Sequence, residues 1–193
     1  TINVIIFLII LSAFLFSTAC FAQVEGDEYF DDYVYQRNDT GDQFLKITLG
    51  ALFPLNFDGQ LYTGGQAELS YYRFINKNFA LGGDFTATYN ISIGNKSLVT
   101  LPFTFGIMYQ PTIGNFEFPL FLNVGLAYET WQNMNYFPGF VLKANVGASY
   151  RITEVYSLGI SSTFTWLPQW VKNSKKNANG LFTSASVSFR YHF

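Results

Sequence analysis

Cysteine is almost missing from this 193-residue chain, since Cys20 is the only one. No intramolecular disulfide framework and no cysteine-ligated metal centre is therefore available to it. Charge is scarce too, at 12% of residues, and histidine occurs once, as His192. One histidine cannot form the clusters that zinc sites use, and no glycine-rich phosphate loop follows a strand-like segment, so neither a metal nor a cofactor is expected. A net charge of −2 leaves no basic excess of the kind nucleic acid selects. No apolar run reaches the roughly 18 residues that a membrane-spanning helix requires. What the chain holds in excess is aromatic: 22 Phe, 13 Tyr and 3 Trp make up 20% of it, more than a soluble core of this size needs.

The charge that exists is unevenly placed. Glu25, Asp27, Glu28, Asp31, Asp32, Asp39 and Asp42 face a single base, Arg37, whereas the stretch from residue 43 onward holds ten bases against six acids. Three regions follow. Residues 1–22 contain an uncharged apolar run from Val4 to Phe16 that ends in small residues, the pattern of a secretory signal, with cleavage expected after Ala22. Reading Ser17, Thr18, Ala19 and Cys20 as a lipobox would instead make Cys20 a lipidated first residue, although Ser17 stands where Leu is usual. Residues 23–42 form an acidic tail without helical or strand periodicity, expected to be solvated or to fold back on basic groups at one rim of the domain that follows, Arg73, Lys77, Arg151 and Arg190.

From residue 43 to 193 the chain alternates apolar and polar side chains in segments of about 10–14 residues, each closed by a turn; period two means strands. Eight such segments occur, at 43–54, 60–73, 79–90, 97–110, 116–130, 139–151, 156–168 and 181–193, with Gly64-Gly65 expected to form a bulge. The connections at 75–78, 111–115 and 153–155 are tight; those at 91–96, 131–138 and 169–179 are longer, with 55–59 the short exception. Aromatics fall in two rings, one at Phe53, Tyr89, Tyr128, Phe140 and Trp166, the other at Tyr71, Phe79, Tyr109, Tyr150, Tyr156 and Tyr191. Tight turns on one side, long loops on the other and aromatic girdles at two heights describe an all-β, eight-stranded antiparallel up-and-down transmembrane barrel with both termini on the tight-turn side.

The last strand carries a resemblance. Phe189, Tyr191 and Phe193 alternate into an aromatic carboxy-terminus, which is similar to the sorting signal that the barrel-assembly machinery reads on bacterial outer-membrane β-barrels. Over residues 43–193 the architecture resembles the small eight-stranded barrels of the OmpA transmembrane, OmpX and OmpW types. That resemblance implies the outer membrane of a diderm bacterium, contact with outer-membrane lipid, and a structural or surface-interaction role. Its OmpW side implies a narrow channel for a small hydrophobic solute.

Candidate sites come from strand parity. Lys46, Glu68, Asp84, Glu129, Lys143 and Arg190 point inward, where a barrel of eight strands has room for side chains only; ions of both signs in that space are expected to pair. Pro102 and Pro119 each delete a ladder donor and are expected to form local bulges or to loosen a seam for lateral exit of a solute. The loop at 169–179 sets Lys172, Lys175 and Lys176 beside Trp170 without an acid, and would suit an anionic surface ligand. Catalysis is expected to be absent. The barrel enzymes that modify lipid A need a base beside a serine near the outer leaflet, whereas His192 lies at the opposite rim, and a dyad drawn from Glu68, Asp84 and Glu129 is the remaining alternative.

Overall fold

The computed structural model describes residues 38–57, 61–131, 134–169 and 178–193. Ten strands follow one another: β1 (Gln43–Pro54), β2 (Gly64–Phe74), β3 (Phe79–Ile91), β4 (Ser97–Tyr109), β5 (Thr112–Ile113), β6 (Phe116–Glu117), β7 (Leu120–Trp131), β8 (Met134–Arg151), β9 (Tyr156–Gln169) and β10 (Ala178–His192). Every pairing is antiparallel, and β10 pairs with β1, from Phe44↔His192 to Pro54↔Phe182, so the sheet closes on itself. β6 and β7 are one stave. Glu117↔Ser149 and Leu120↔Val146 belong to the same register, and between them Gly147 N–H donates to the Pro119 carbonyl at 3.0 Å. The eight staves therefore run β1, β2, β3, β4, β6–β7, β8, β9, β10.

Burial alternates along each stave in the inverted sense of a membrane barrel. Leu49, Phe105, Ile160 and Val187 are 57%, 59%, 66% and 62% exposed, while Lys46, Glu68, Asp84 and Lys143 are buried. An apolar outer wall of this extent has no place in water. It matches a lipid-facing surface around a polar interior. The aromatic rings lie on that wall: Phe140 meets Trp166 at 6.2 Å at one end, and Phe79–Tyr109 (4.9 Å) and Tyr156–Tyr191 (5.6 Å) meet at the other.

Three expectations about irregularities are corrected. No bulge occurs at Gly64-Gly65, which pair in register with Leu52 and Ala51; glycine is needed there because a Cβ on Gly64 would run into the Tyr89 carbonyl oxygen and the Asn90 side chain. Nor do Pro102 and Pro119 make bulges. The β4–β7 ladder runs unbroken from Leu98↔Trp131 to Tyr109↔Leu120 through Pro102↔Ala127. Pro102 interrupts the other side of β4, where pairing with β3 skips from Phe85↔Phe103 to Thr88↔Thr100 without a change of register. Pro119 faces β8. The two missing donors thus open on different seams, and the seam their staves share is intact. Among the described residues the β7–β8 register shifts between Ala127 and Glu129, where Phe137 and Pro138 of β8 stand opposite Tyr128 alone. β8 accordingly begins at Met134, inside the stretch expected to be a loop.

Candidate functional site

The interior is built in layers. Toward the end where β1 runs into β2, Leu52, Leu61, Leu98, Ala127, Val141, Leu167 and Phe182 form a buried apolar cluster, with Phe57 and Trp131 packed on it. A second cluster, Phe44, Tyr72, Phe74, Ala80, Met108 and Phe121, lies toward the end that holds the carboxy-terminus. Between them sit the central charges.

Lys143 organises this centre because β8 is four staves from β2 and so faces it across the lumen. Its Nζ reaches Glu68 Oε2 and Asp84 Oδ1, both at 2.6 Å, and donates to Thr86 Oγ1 at 2.9 Å, which occupies all three ammonium protons. Lys46, on β1 beside β2, reaches the other oxygen of Glu68 at 3.0 Å and lies 4.3 Å from the centre of the Phe121 ring. The remaining lone pairs are covered: Ser70 donates to Glu68 at 3.1 Å, and Asn123 donates to Asp84 Oδ2 and, at 2.6 Å, to the Tyr72 hydroxyl. Two cations and two carboxylates make a neutral, hydrogen-bonded quartet, the form in which buried ions are tolerated. Between the quartet and the first apolar cluster lies a void lined by Gln66, Thr86, Thr88, Thr100 and Thr165, with room for about one water.

Of the six inward ions read from parity, the structure brings four together. Arg190 belongs elsewhere: its Nη1 donates to Gln110 Oε1 at 2.7 Å and lies 3.3 Å from Glu117, while its guanidinium stands 4.9 Å over Phe44. Glu129 is buried opposite Thr100, two inward positions beyond Thr104, the rung of Asp84. Glu117 is the carboxylate that the sequence reading missed, although the same parity places it inside. It also takes Arg151 at 2.7 Å.

Arg151 joins this second group to both ends of the barrel chain. Its Nη2 donates to Asn38 Oδ1 at 2.8 Å and meets His192 Nδ1 at 3.0 Å, and His192 Nε2 lies 2.7 Å from Ser157 Oγ. A guanidinium only donates, so Nδ1 is the acceptor, the ring proton sits on Nε2, and Nε2 donates to Ser157. An activated serine needs the reverse, an unprotonated Nε2 receiving the Oγ proton. The contact is structural. Among the described residues no group of three His, Cys, Asp or Glu could hold a metal ion.

The other sites divide. Phe189 and Phe193 lie exposed on the outer wall with Tyr191 half-buried between them; Tyr191 stacks on Phe193 at 5.7 Å, and Phe193 exchanges two 3.0 Å backbone hydrogen bonds with Gln43. The four basic bases expected at one rim do not form one patch, because Arg151 and Arg190 are buried on Glu117 while Arg73 and Lys77 are exposed. Trp170, Lys172, Lys175 and Lys176, the signal with Cys20, and the acidic tail up to residue 37 lie outside the described residues.

Comparison with known proteins agrees with this architecture. A protein-family model matches residues 25–191. Two proteins of Treponema pallidum (strain Nichols), both described as uncharacterized, are 32% identical over 137 residues and 26% identical over 147. The matches take in 70% and 68% of this chain and span only 62% and 50% of those relatives' lengths. Among solved structures, Neisserial surface protein A superposes with a TM-score of 0.68 at 14% identity, over 79% of this chain and 99% of that one. OprG of Pseudomonas aeruginosa and Ail, the attachment invasion locus protein of Yersinia pestis, each give 0.52, at 11% and 12% identity, over 82% and 80% of this chain and 99% of theirs. The chain belongs to the family whose model spans residues 25–191, and its fold is that of the small eight-stranded outer-membrane β-barrels.

Proposed function

We propose that this protein is exported by a cleaved signal to a bacterial outer membrane, assembled there by the barrel-assembly machinery, and serves as a structural or surface-interaction protein that catalyses no reaction. The observation that carries this reading is the consumption of the central charges by one another: Lys46, Glu68, Asp84 and Lys143 satisfy each other across the lumen. Paired in this way, no member of the quartet is left for a substrate, and an ion crossing the lumen would have to part them. Activity is then left to the loops at the far end from the termini. There Trp170 with Lys172, Lys175 and Lys176 offers three cations and no acid, which suits a polyanionic glycan or an anionic lipid headgroup. Ail, a fold relative at 10% identity, was solved with the heparin analogue sucrose octasulfate, a polyanion of that class.

Intact cells displaying the full chain test this directly. Single cysteines placed at 172 or 175 are expected to react with a membrane-impermeant maleimide, and cells carrying Lys172→Gln, Lys175→Gln and Lys176→Gln together are expected to lose retention of a sulfated glycan. Cysteines that label only after the membrane is opened would place the loop inside. Retention unchanged by the triple variant would remove the loop from the binding role.

A further inference from the structure

The three tight turns at the terminus end are not equivalent. Each presents an outward isoleucine just beyond the aromatic ring, Ile75, Ile113 and Ile152, exposed by 51%, 71% and 55%. The turn between β4 and β6–β7 carries no charged residue among 110–115, and the β8–β9 turn carries a single acid, Glu154. Only the β2–β3 turn carries a cation of its own, Lys77, and it is entered by a second exposed one, Arg73, whereas Arg151 at the edge of the β8–β9 turn is buried on Glu117. Arg73 and Lys77 stand on either side of Ile75, both exposed, and no salt bridge joins either to a described residue.

Arg73 sits in an outward column between Tyr71 and Ile75, next to the Phe79–Tyr109 ring pair. Its guanidinium reaches toward the rim, with Nη2 3.9 Å from where a Cβ on Gly41 would stand, on the side of the aromatic ring where the apolar belt gives way to headgroups. The turn is held in shape without using either cation. Asn76 Oδ1 accepts from the N–H groups of Asn78 (3.0 Å) and Phe79 (2.9 Å), and Ile75 N–H donates to Phe79 O at 2.8 Å. The nearby acids are turned onto their own backbone: Asp39 Oδ1 accepts from Thr40 N–H at 2.8 Å and Asp42 Oδ2 from Asp39 N–H at 2.9 Å.

We infer that the β2–β3 turn binds the phosphate of an anionic phospholipid, with Arg73 and Lys77 as its two cationic contacts and Tyr71, Ile75 and Phe79 packed along the glycerol and upper acyl region. The occupant follows from two features together. The cations continue the apolar wall that the proposed location sets in lipid, and their charge, unpaired among the described residues, complements a phosphodiester rather than a zwitterionic headgroup, whose own ammonium offsets it. The inference rests on the proposed membrane location and goes beyond it by naming one site on the wall and the lipid class it selects.

Spin-labelled lipids test it on the folded full chain in phosphatidylcholine vesicles. The immobilised fraction is measured for spin-labelled phosphatidylglycerol and for spin-labelled phosphatidylcholine. Phosphatidylglycerol is expected to be favoured, by up to about fivefold per cation near the surface, and less so in 1 M salt, where the Debye length falls to about 3 Å. Arg73→Gln with Lys77→Gln should remove the preference, each single variant should halve its free energy, and Lys96→Gln, which deletes an exposed cation in the β3–β4 loop, should leave it as in the parent. A parent without preference, or a double variant that keeps it, overturns the site. A folded, heat-modifiable parent that immobilises neither lipid overturns the membrane location itself, which is a different result from loss of selectivity.

Discussion

Two charged groups share the lumen, and they differ in what they close. The quartet of Lys46, Glu68, Asp84 and Lys143 is neutral, lies between apolar layers, and spans opposite walls through Lys143. The group at the terminus end sets two arginines, Arg151 and Arg190, on one carboxylate, Glu117, and fastens His192 and Asn38 near the two ends of the barrel chain. Phe121 separates them, 4.3 Å from Lys46 and 5.8 Å from Arg190. The first group crosses and fills the barrel; the second ties the last strand to its neighbours. Their consequences for stability should differ accordingly.

Lys143→Met is the sharpest way to break the comparison, because it strands Glu68 from its cross-lumen partner and Asp84 from the one cation it pairs with among the described residues. A loss of about 3–5 kcal/mol is expected in urea unfolding of the folded barrel, the range for removing one partner of a buried ion pair. Adding Asp84→Asn to Lys143→Met should recover part of it, since fewer charges are then left unpaired. Glu117→Gln should come next, at roughly 2–3 kcal/mol, because one change removes the carboxylate charge that Arg151 and Arg190 share. Lys46→Met is expected to cost less, about 1–2 kcal/mol, since Glu68 keeps Lys143. Ser157→Ala removes a single hydrogen bond to His192 and should cost about 1 kcal/mol. An order in which Lys46→Met exceeds Lys143→Met would show that the cross-lumen contacts are not the principal ones.

Strand parity made the fold legible. Lys46, Glu68, Asp84, Lys143 and Arg190 all lie on the inward face that alternation assigns them, since a period of two admits one register of faces and a slip by one would turn every charge toward lipid. Parity does not give height. Arg190 stands directly across from Lys46 in the β1–β10 ladder, yet it turns away from the quartet toward Glu117. That choice depends on the stagger between staves, which no single strand encodes. The prolines were misread for a related reason. A missing donor was visible at Pro102 and Pro119, but the seam on which it opens follows from which side of the strand each N–H would face. β8 extends back to Met134 through the stretch assigned to a loop, and the ladder tolerates Pro138 because it lies within the bulge, where it and Phe137 stand opposite Tyr128 alone.

The central claim is that the lumen is filled and closed by the quartet and its flanking apolar layers. Its most direct test is the current carried by the purified, refolded parent in a planar bilayer. No steady conductance, or only rare small events, is the expected result, because an ion entering the lumen would have to displace both apolar layers and the paired charges between them. A stable, large, open channel in the parent would contradict it, would mean that Lys46, Glu68, Asp84 and Lys143 line water, and would put the narrow-conduit reading first.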